Sequence, residues 1–330
     1  MAEPSLIAGF DAGQTHTSCR LSDACSGELL GEGQGPGVCH LAAADGPTRF
    51  RQALQASLAQ ARLHLPHAGT PLLAAGIGAS GIEVGSSVQE LGRQLAAEAL
   101  QLPLERVVVT GDERTALRGA MGNYHQGGAG ILLISGTGSI AVGRNGENRE
   151  HRCGGWGWLL DGSGSAMDIG HDALMASVRM ADGRDRDTAL RHTLWSALAV
   201  GSAQELKALV VQADFGPAGF ARLAPYVDQL AEAGDAEAMV IIERSGASLA
   251  DLVAGVAAAL DLSSPRVAAV GGAITHLGML QRAWCSELAA RLPEATLMAP
   301  HRDACHGALM MAGDLLTDSA NAPGHSARCD

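Results

Sequence analysis

Asp11 closes an apolar run, Leu6 to Phe10, and opens a turn of small and hydroxyl residues, Ala12-Gly13-Gln14-Thr15-His16-Thr17. Such a turn lets backbone N–H groups approach phosphate oxygens, and hydroxyls add donors without bulk. A carboxylate at its mouth suits a hydrated Mg2+ bridging nucleotide phosphates, and would equally serve as a plain turn initiator. The pattern returns downstream, where the run Gly130 to Ser135 enters Gly136-Thr137-Gly138-Ser139. Each turn is followed by a second predicted strand, Ser18 to Ser22 and Ile140 to Gly143. Two strand–turn–strand units about one domain apart predict two related halves. There is no GxxxxGK[ST] motif, and no GxGxxG opens a helix after a strand, so P-loop and Rossmann readings have little support.

Three further positions carry candidate chemistry. Asp112 follows the apolar run Val107 to Thr110 and precedes a helical pattern. There it would either cap the helix or take a proton from a substrate hydroxyl at a strand's carboxyl end. Cys153-Gly154-Gly155-Trp156-Gly157-Trp158 sets three glycines beside two indoles. That composition suits a flat polar ligand such as a pyranose, or a tight turn pinned by buried Trp. Gly271-Gly272 ends the run Val267 to Val270 and reads as a close backbone approach to a nucleoside or as a simple strand-to-helix turn.

The elements that must position these residues are strands at Leu6 to Phe10, Leu72 to Ile77, Val107 to Thr110, Gly130 to Ser135 and Val267 to Val270. Helices are predicted at Pro47 to Leu63, Val88 to Leu100, Ile169 to Met180, Thr188 to Val200, Pro217 to Ala233, Asp235 to Ala259, Leu277 to Leu292 and Asp303 to Leu316. This alternation predicts an α/β protein with helices covering its sheets. A Ser-, Asn-, Pro- and Gly-containing stretch, 317–330, reads as a flexible tail.

Composition limits the function classes. Lys+Arg 23 against Asp+Glu 35 gives a net charge of −12, which repels a phosphate backbone and argues against nucleic-acid binding. No apolar stretch approaches the ~20 residues of a membrane span, and the N-terminal residues lack a basic signal-peptide region, so a cytoplasmic, soluble protein is expected. The seven cysteines show no CxxC pair and are read as reduced thiols. Glycine is abundant, 43 in 330 residues against a usual ~7 %, and lysine is confined to Lys207.

In this order the motifs resemble the sugar kinase and actin-like ATPase superfamily, and within it the BadF/BadG/BcrA/BcrD-type ATPase family that includes N-acetylglucosamine and glucosamine kinases. DAGQTHT (11–17) is similar to its first phosphate motif, TGDERTALRGA (110–120) to its catalytic-aspartate segment and SGTGS (135–139) to its second phosphate motif. CGGWGWLL (153–160) resembles its sugar-site signature, GGAI (271–274) its adenosine motif, and 223–253 its helical region. The resemblance implies two actin-like, ribonuclease H-like domains with a nucleotide and sugar cleft between them. Their extents would be 1–118, completed by the helix 303–316, and 119–302.

By residue, the resemblance implies ATP phosphate and nucleoside contacts at Asp11, Gly13, Thr15, Thr17, Gly136, Thr137, Gly138, Ser139, Gly271 and Gly272. Asp11 would face Mg2+, and Asp112 would be the base. Ser80, Asp112, Gly155, Trp156, Gly157 and Asp161 would contact the sugar. The activity so implied is ATP-dependent phosphorylation of N-acetylglucosamine or glucosamine at the 6-hydroxyl, and a homodimer through the second domain is allowed. Relatives of the same kind include ATPase activators of acyl-CoA dehydratases or reductases, and a catalytically weak sugar or nucleotide sensor is a third reading. The chain departs from the family pattern at Gln14 and His16, at Cys39 where an Asn contacts sugar, and at Gly162 where an Asp is usual. These departures bear on which sugar is bound.

Overall fold

The computed structural model describes residues 5–63, 65, 69–122 and 129–320, with side chains to residue 317. The chain forms two compact units, Met1–Gln126 with Pro300–Asp330, and Gly127–Ala299. No helix among the described residues is long and apolar enough to cross a membrane.

Unit 1 runs β1 (Leu6–Ala12), β2 (His16–Asp23), β3 (Leu29–Pro36), α1 (Gly46–Arg62), β4 (Leu72–Ala79), α2 (Ser87–Leu100), β5 (Val107–Gly111) and α3 (Asp112–Met121). Helix α3 continues unbroken through residues 118 and 119. Unit 2 follows with β6 (Gly130–Ser135), β7 (Ser139–Arg144), β8 (Glu150–Gly154), α4 (Ala166–Ala181), α5 (Ala189–Ala197), α6 (Ala203–Val210), α7 (Gly216–Ala221), α8 (Ala224–Glu232), α9 (Ala236–Ala259), β9 (Arg266–Val270), α10 (Gly272–His276), α11 (Gly278–Arg291) and β10 (Thr296–Leu297). The chain then returns to unit 1 as α12 (Ala304–Ala320).

The two sheets repeat one topology. The first has the strand order β3-β2-β1-β4-β5 and the second β8-β7-β6-β9-β10. In each, the first three strands form an antiparallel meander, and the other two lie parallel to the first strand. This is the ribonuclease H-like arrangement, present twice.

In unit 1, alternation along β1 decides what each face meets. Leu6, Ala8, Phe10 and Ala12 join the core under α1, while Ile7 packs with Ala74, Leu309 and Ala312 under α12. Helix α12 can lie so close because Gly9 has no side chain: a Cβ there would stand 2.5 Å from Cys305 O and from Leu309 N. Gly31, Gly33 and Gly35 do the same for α1, where added Cβ atoms would meet Ala61, Ser57 and Ala53 carbonyls at 2.3, 2.3 and 2.8 Å. The buried Arg118 of α3 reaches both carboxylate oxygens of Asp314 at 3.1 and 2.9 Å, joining α3 to α12.

Several expected elements changed. The predicted helix Pro217 to Ala233 is two helices, because the chain turns at Arg222-Leu223 and Pro225 sits in the first turn of α8, where its missing N–H costs no hydrogen bond. Helix α12 continues to Ala320, past the expected start of the tail at 317, since no breaker occurs before Pro323. Residues 321–330 of that tail lie outside the described residues. Cys153 and Gly154 end strand β8 and belong to no turn.

Gly9→Ala is expected to lower unfolding stability by roughly 1–3 kcal/mol, because the clash is with backbone. Gly278→Ala, where nothing lies within 4 Å of the added Cβ, leaves it unchanged. Urea unfolding of both variants checks the pair.

Candidate active site

In unit 1, Asp11 near the end of β1, Ser80 just past β4 and Asp112 just past β5 stand at the carboxyl ends of three parallel strands, the edge where open α/β sheets take ligands. The β1–β2 turn is closed by Gly13 N–H donating to His16 O at 3.1 Å, leaving Gln14, Thr15 and His16 exposed. Ser80 N–H donates to Ala12 O at 3.1 Å and Val38 N–H to Gly13 O at 2.9 Å, which fixes the turn against β4 and the segment after β3. The Thr15 hydroxyl lies 3.0 Å from His16 Nδ1. Asp112 is the first residue of α3 and Gly111 its cap, so capping is not its role. A carboxylate in the first turn is favoured by the helix dipole.

Both carboxylates are largely removed from water. Burial, then the nearby charges of Asp112 and Asp303, push the Asp11 carboxyl from 3.8 up to about 6, against smaller opposing pulls from His16 and Arg20. Burial likewise raises Asp112, while hydrogen bonds from Glu113 and its own backbone hold it down. Arg20, one strand away, donates to Asp303 Oδ1 at 2.5 Å and Glu32 Oε1 at 2.6 Å. Asp303 also accepts from His306 N–H at 3.0 Å, which caps the start of α12. Arg20 and Asp303 shape the field at Asp11, yet sequence reasoning missed them, since they are remote along the chain and in no motif.

In unit 2 the β6–β7 turn, closed by Gly136 N–H to Gly138 O at 2.9 Å, leaves Thr137 and Gly138 exposed. Gly271, at φ 105°, packs on this hairpin so closely that a Cβ would meet Ser135 O at 2.4 Å. Gly136 and Gly272 are neighbours, at 3.8 Å from the position of a Gly136 Cβ to Gly272 N. The loop 161–165 wraps the same hairpin: Ser135 Oγ donates to Gly164 O at 3.1 Å, Ser139 Oγ to Ser163 O at 2.9 Å, and Ala166 N–H to Gly136 O at 2.9 Å. Unit 2 therefore gathers Gly136, Thr137, Gly138, Ser139, Gly271 and Gly272 into one place.

Beside them, Gly155 N–H donates to Ser139 O at 3.0 Å, and Gly154, Gly155 and Gly157 all take positive φ, at 80°, 76° and 87°. Only glycine adopts such a run without strain. Trp156 and Trp158 are 57 % and 45 % exposed, which removes the reading of a turn pinned by buried indoles. The Arg152 guanidinium lies 4.5 Å from the Trp156 ring centre. Asp161 Oδ1 accepts from Gly162 N–H at 2.8 Å. Gly162 is buried with Met167 Cε 3.0 Å from an added Cβ, so the carboxylate available on this loop is that of Asp161. Cys39, in place of the expected Asn, points its thiol at Asp45 Oδ1, 3.6 Å away.

Two of the expected hydroxyls are buried. Thr17 is wholly buried on the opposite face of β2 from Arg20, and among the described residues its hydroxyl has no hydrogen-bond partner. Ser139 is buried and its hydroxyl is committed to the 163 carbonyl, so it braces the turn from within. Among the described residues no group of three or more His, Cys, Asp or Glu forms a ready metal cage.

A model of the BadF/BadG/BcrA/BcrD ATPase family matches residues 8–312. The chain belongs to that family. An N-acetylmuramic acid/N-acetylglucosamine kinase of Clostridium acetobutylicum is 27 % identical over 237 residues, 71 % of this chain and 74 % of that protein. A crystal structure from Chromobacterium violaceum, named as a candidate N-acetylglucosamine kinase, is 29 % identical with a TM-score of 0.70, covering 93 % of this chain and 98 % of that one. A Streptomyces griseus ROK-family glucokinase, solved with glucose and AMPPNP, shares the fold at TM-score 0.57 and 19 % identity, covering 94 % and 98 %. The fold is thus the actin-like α/β architecture of the sugar kinases.

Because Asp11 binds its proton more tightly folded than unfolded, the folded state is penalised as pH rises from about 4 through about 6. Asp11→Asn should therefore stabilise the ligand-free protein at pH 8 by on the order of 2 kcal/mol, with the gain vanishing toward pH 4. Thermal unfolding across that range, without nucleotide or divalent cation, reads the effect.

Proposed function

We propose that this protein transfers the γ-phosphoryl group of ATP to an amino sugar, N-acetylglucosamine or glucosamine, at the 6-hydroxyl. The observation that carries the reading is Asp112: a carboxylate at the carboxyl end of β5, shielded from water and raised in pKa by that burial. A base is most effective when its pKa approaches the working pH. The names of the similar kinases support the same chemistry.

In this reading Asp112 accepts the proton of the sugar hydroxyl at a carboxylate oxygen. The freed oxygen forms a bond to the γ-phosphorus as the bond to the β-phosphate oxygen breaks, and ADP leaves. Phosphoryl transfer depends mainly on positioning and electrostatics. The exposed turns at Gly13 to Thr15 and Gly136 to Gly138 would supply backbone N–H donors, with the Thr15 and Thr137 hydroxyls beside them. Gly271 and Gly272 would admit the nucleoside. Trp156 and Trp158 would offer apolar faces to the pyranose, and Gly155, Gly157, Asp161 and Ser80 polar groups to its hydroxyls.

Asp11 fits a hydrated Mg2+, which needs only one or two carboxylates: burial and then the nearby negative charges of Asp112 and Asp303 raise its pKa, and a cation would relieve that charge. When bound with ATP, Mg2+ would offset phosphate charge. A requirement for free ATP would place the reaction in the cytoplasm. The acyl-CoA activator reading gains nothing from Cys153, whose sulfur packs against α9, 2.9 Å from the position of a Gly255 Cβ.

Asp112→Asn should lower sugar-dependent ADP formation by roughly 10²–10⁴-fold while ATP binding and the unfolding midpoint hold. A near-wild-type rate in that variant would remove Asp112 as the base.

A further inference from the structure

An apolar opening in unit 2 shares no lining residue with the candidate active site. A cavity of about 540 Å3 is walled by α4, α6 and α7, through Leu174 and Val178, Leu206 and Val210, and Phe220. On α4 and α6 these residues recur at helical spacing, so each helix turns an apolar stripe toward the opening. Leu174, Leu206 and Phe220 are buried, whereas Met175 on the same wall is 51 % exposed. Phe220 is held edge-on between Phe215, 4.9 Å away, and His171, 5.2 Å away. The volume falls within the ~300–1,000 Å3 of small-molecule sites.

The rim carries Lys207, Gln204 and His171, and no carboxylate lines the cavity. Lys207 is the only lysine of the chain, in a protein of net charge −12. Among the described residues no hydrogen bond or ion pair engages its ammonium. The acids closest along the chain or at the rim are occupied elsewhere: Glu205 accepts from Gly201 N–H at 2.7 Å, and Asp172 pairs with Arg244. An apolar body and an unpaired cation at its mouth select one ligand chemistry.

We propose that this cavity binds an amphiphilic monocarboxylate, its alkyl chain between α4, α6 and α7 and its carboxylate on Lys207. The chain length of this class lets the tail displace water from Leu174, Val178 and Phe220, the source of affinity. A carboxylate on the exposed Lys207 ammonium at the rim adds a charge-assisted hydrogen bond and the preference over a neutral head. A sugar's hydroxyls or a nucleotide's phosphates would find no polar partners against Leu174, Val178 and Phe220. The site is independent of the phosphotransfer reading and stands or falls separately.

A single lysine makes the test direct. Acetylation by an N-hydroxysuccinimide ester should be slowed at Lys207 by saturating decanoate, below its micelle concentration, with the N-terminal amine as internal control. Decanol should protect much less. By calorimetry, Lys207→Met, which keeps the apolar stem, should weaken decanoate binding roughly tenfold, and Ala203→Trp, which fills the cavity, should abolish it. Both variants should retain wild-type ATP turnover. Unchanged labelling of Lys207 with decanoate, equal affinity in Lys207→Met, or Lys207 labelling that falls with protein concentration alone, which would mark a second copy as the occupant, would each overturn the proposal.

Discussion

Asp11 and Asp112 hold like charges close to one another in a place from which water is largely excluded, and the rest of unit 1 can be understood as the means of keeping them there. Left to itself such a pair would separate or stay protonated. β1 and β5 flank β4 and are both hydrogen-bonded to it in parallel register, which puts the two strand ends on one edge of the sheet with β4 between them. Helix α3 begins at Asp112 and supplies a dipole that favours its charge. Helix α12 closes the other side, and can do so only because Gly9 gives it room. The same helix brings Asp303, which binds Arg20 and adds to the field on Asp11. Carboxylates with pKa values raised by burial and like charges cluster at functional sites.

Unit 2 uses the same frame for the opposite purpose. Its sheet repeats the strand order and senses of the first, and its hairpin turn occupies the matching position. No carboxylate stands at its first strand end; Ser135 and Ser139 instead turn their hydroxyls inward to tie down the 161–165 loop. The exposed outcome is a rigid array of backbone groups at Gly136 to Gly138 and Gly271-Gly272, beside two open indoles. The connection from β8 to β9 is also far longer than that from β3 to β4, carrying α4 through α9 where unit 1 has α1 alone. Those added helices create the Lys207 cavity, which has no counterpart in the repeated frame.

What the sequence made legible were features that are local and punctuated: both hairpins, the Asp112 segment, the GGWGW loop and the Gly271-Gly272 turn. What it hid were consequences of tertiary contact. Strand β3 is absent from the predicted strands because Gly31, Gly33 and Gly35 break its apolar pattern, yet these glycines let α1 lie on the sheet. Much of the glycine excess has this structural cause, while Gly155, Gly157 and Gly271 are demanded by positive φ at the site itself. Thr17 and Ser139 match phosphate motifs by type, but the two-residue alternation of a strand sends one side chain inward and burial commits the other. The Arg20–Asp303 pair joins residues separated by nearly the whole chain, a contact no spacing argument reaches.

In the proposed reaction these two sets of residues serve transfer of a phosphoryl group to a sugar hydroxyl, as opposed to hydrolysis of ATP. Phosphorus NMR of a reaction containing the purified protein, ATP, Mg2+ and N-acetylglucosamine or glucosamine tests that claim most directly. The account predicts a sugar 6-phosphate that accumulates in step with ADP and only when sugar is present. ADP and inorganic phosphate appearing at the same rate with and without sugar, with no phosphate ester formed, would contradict it.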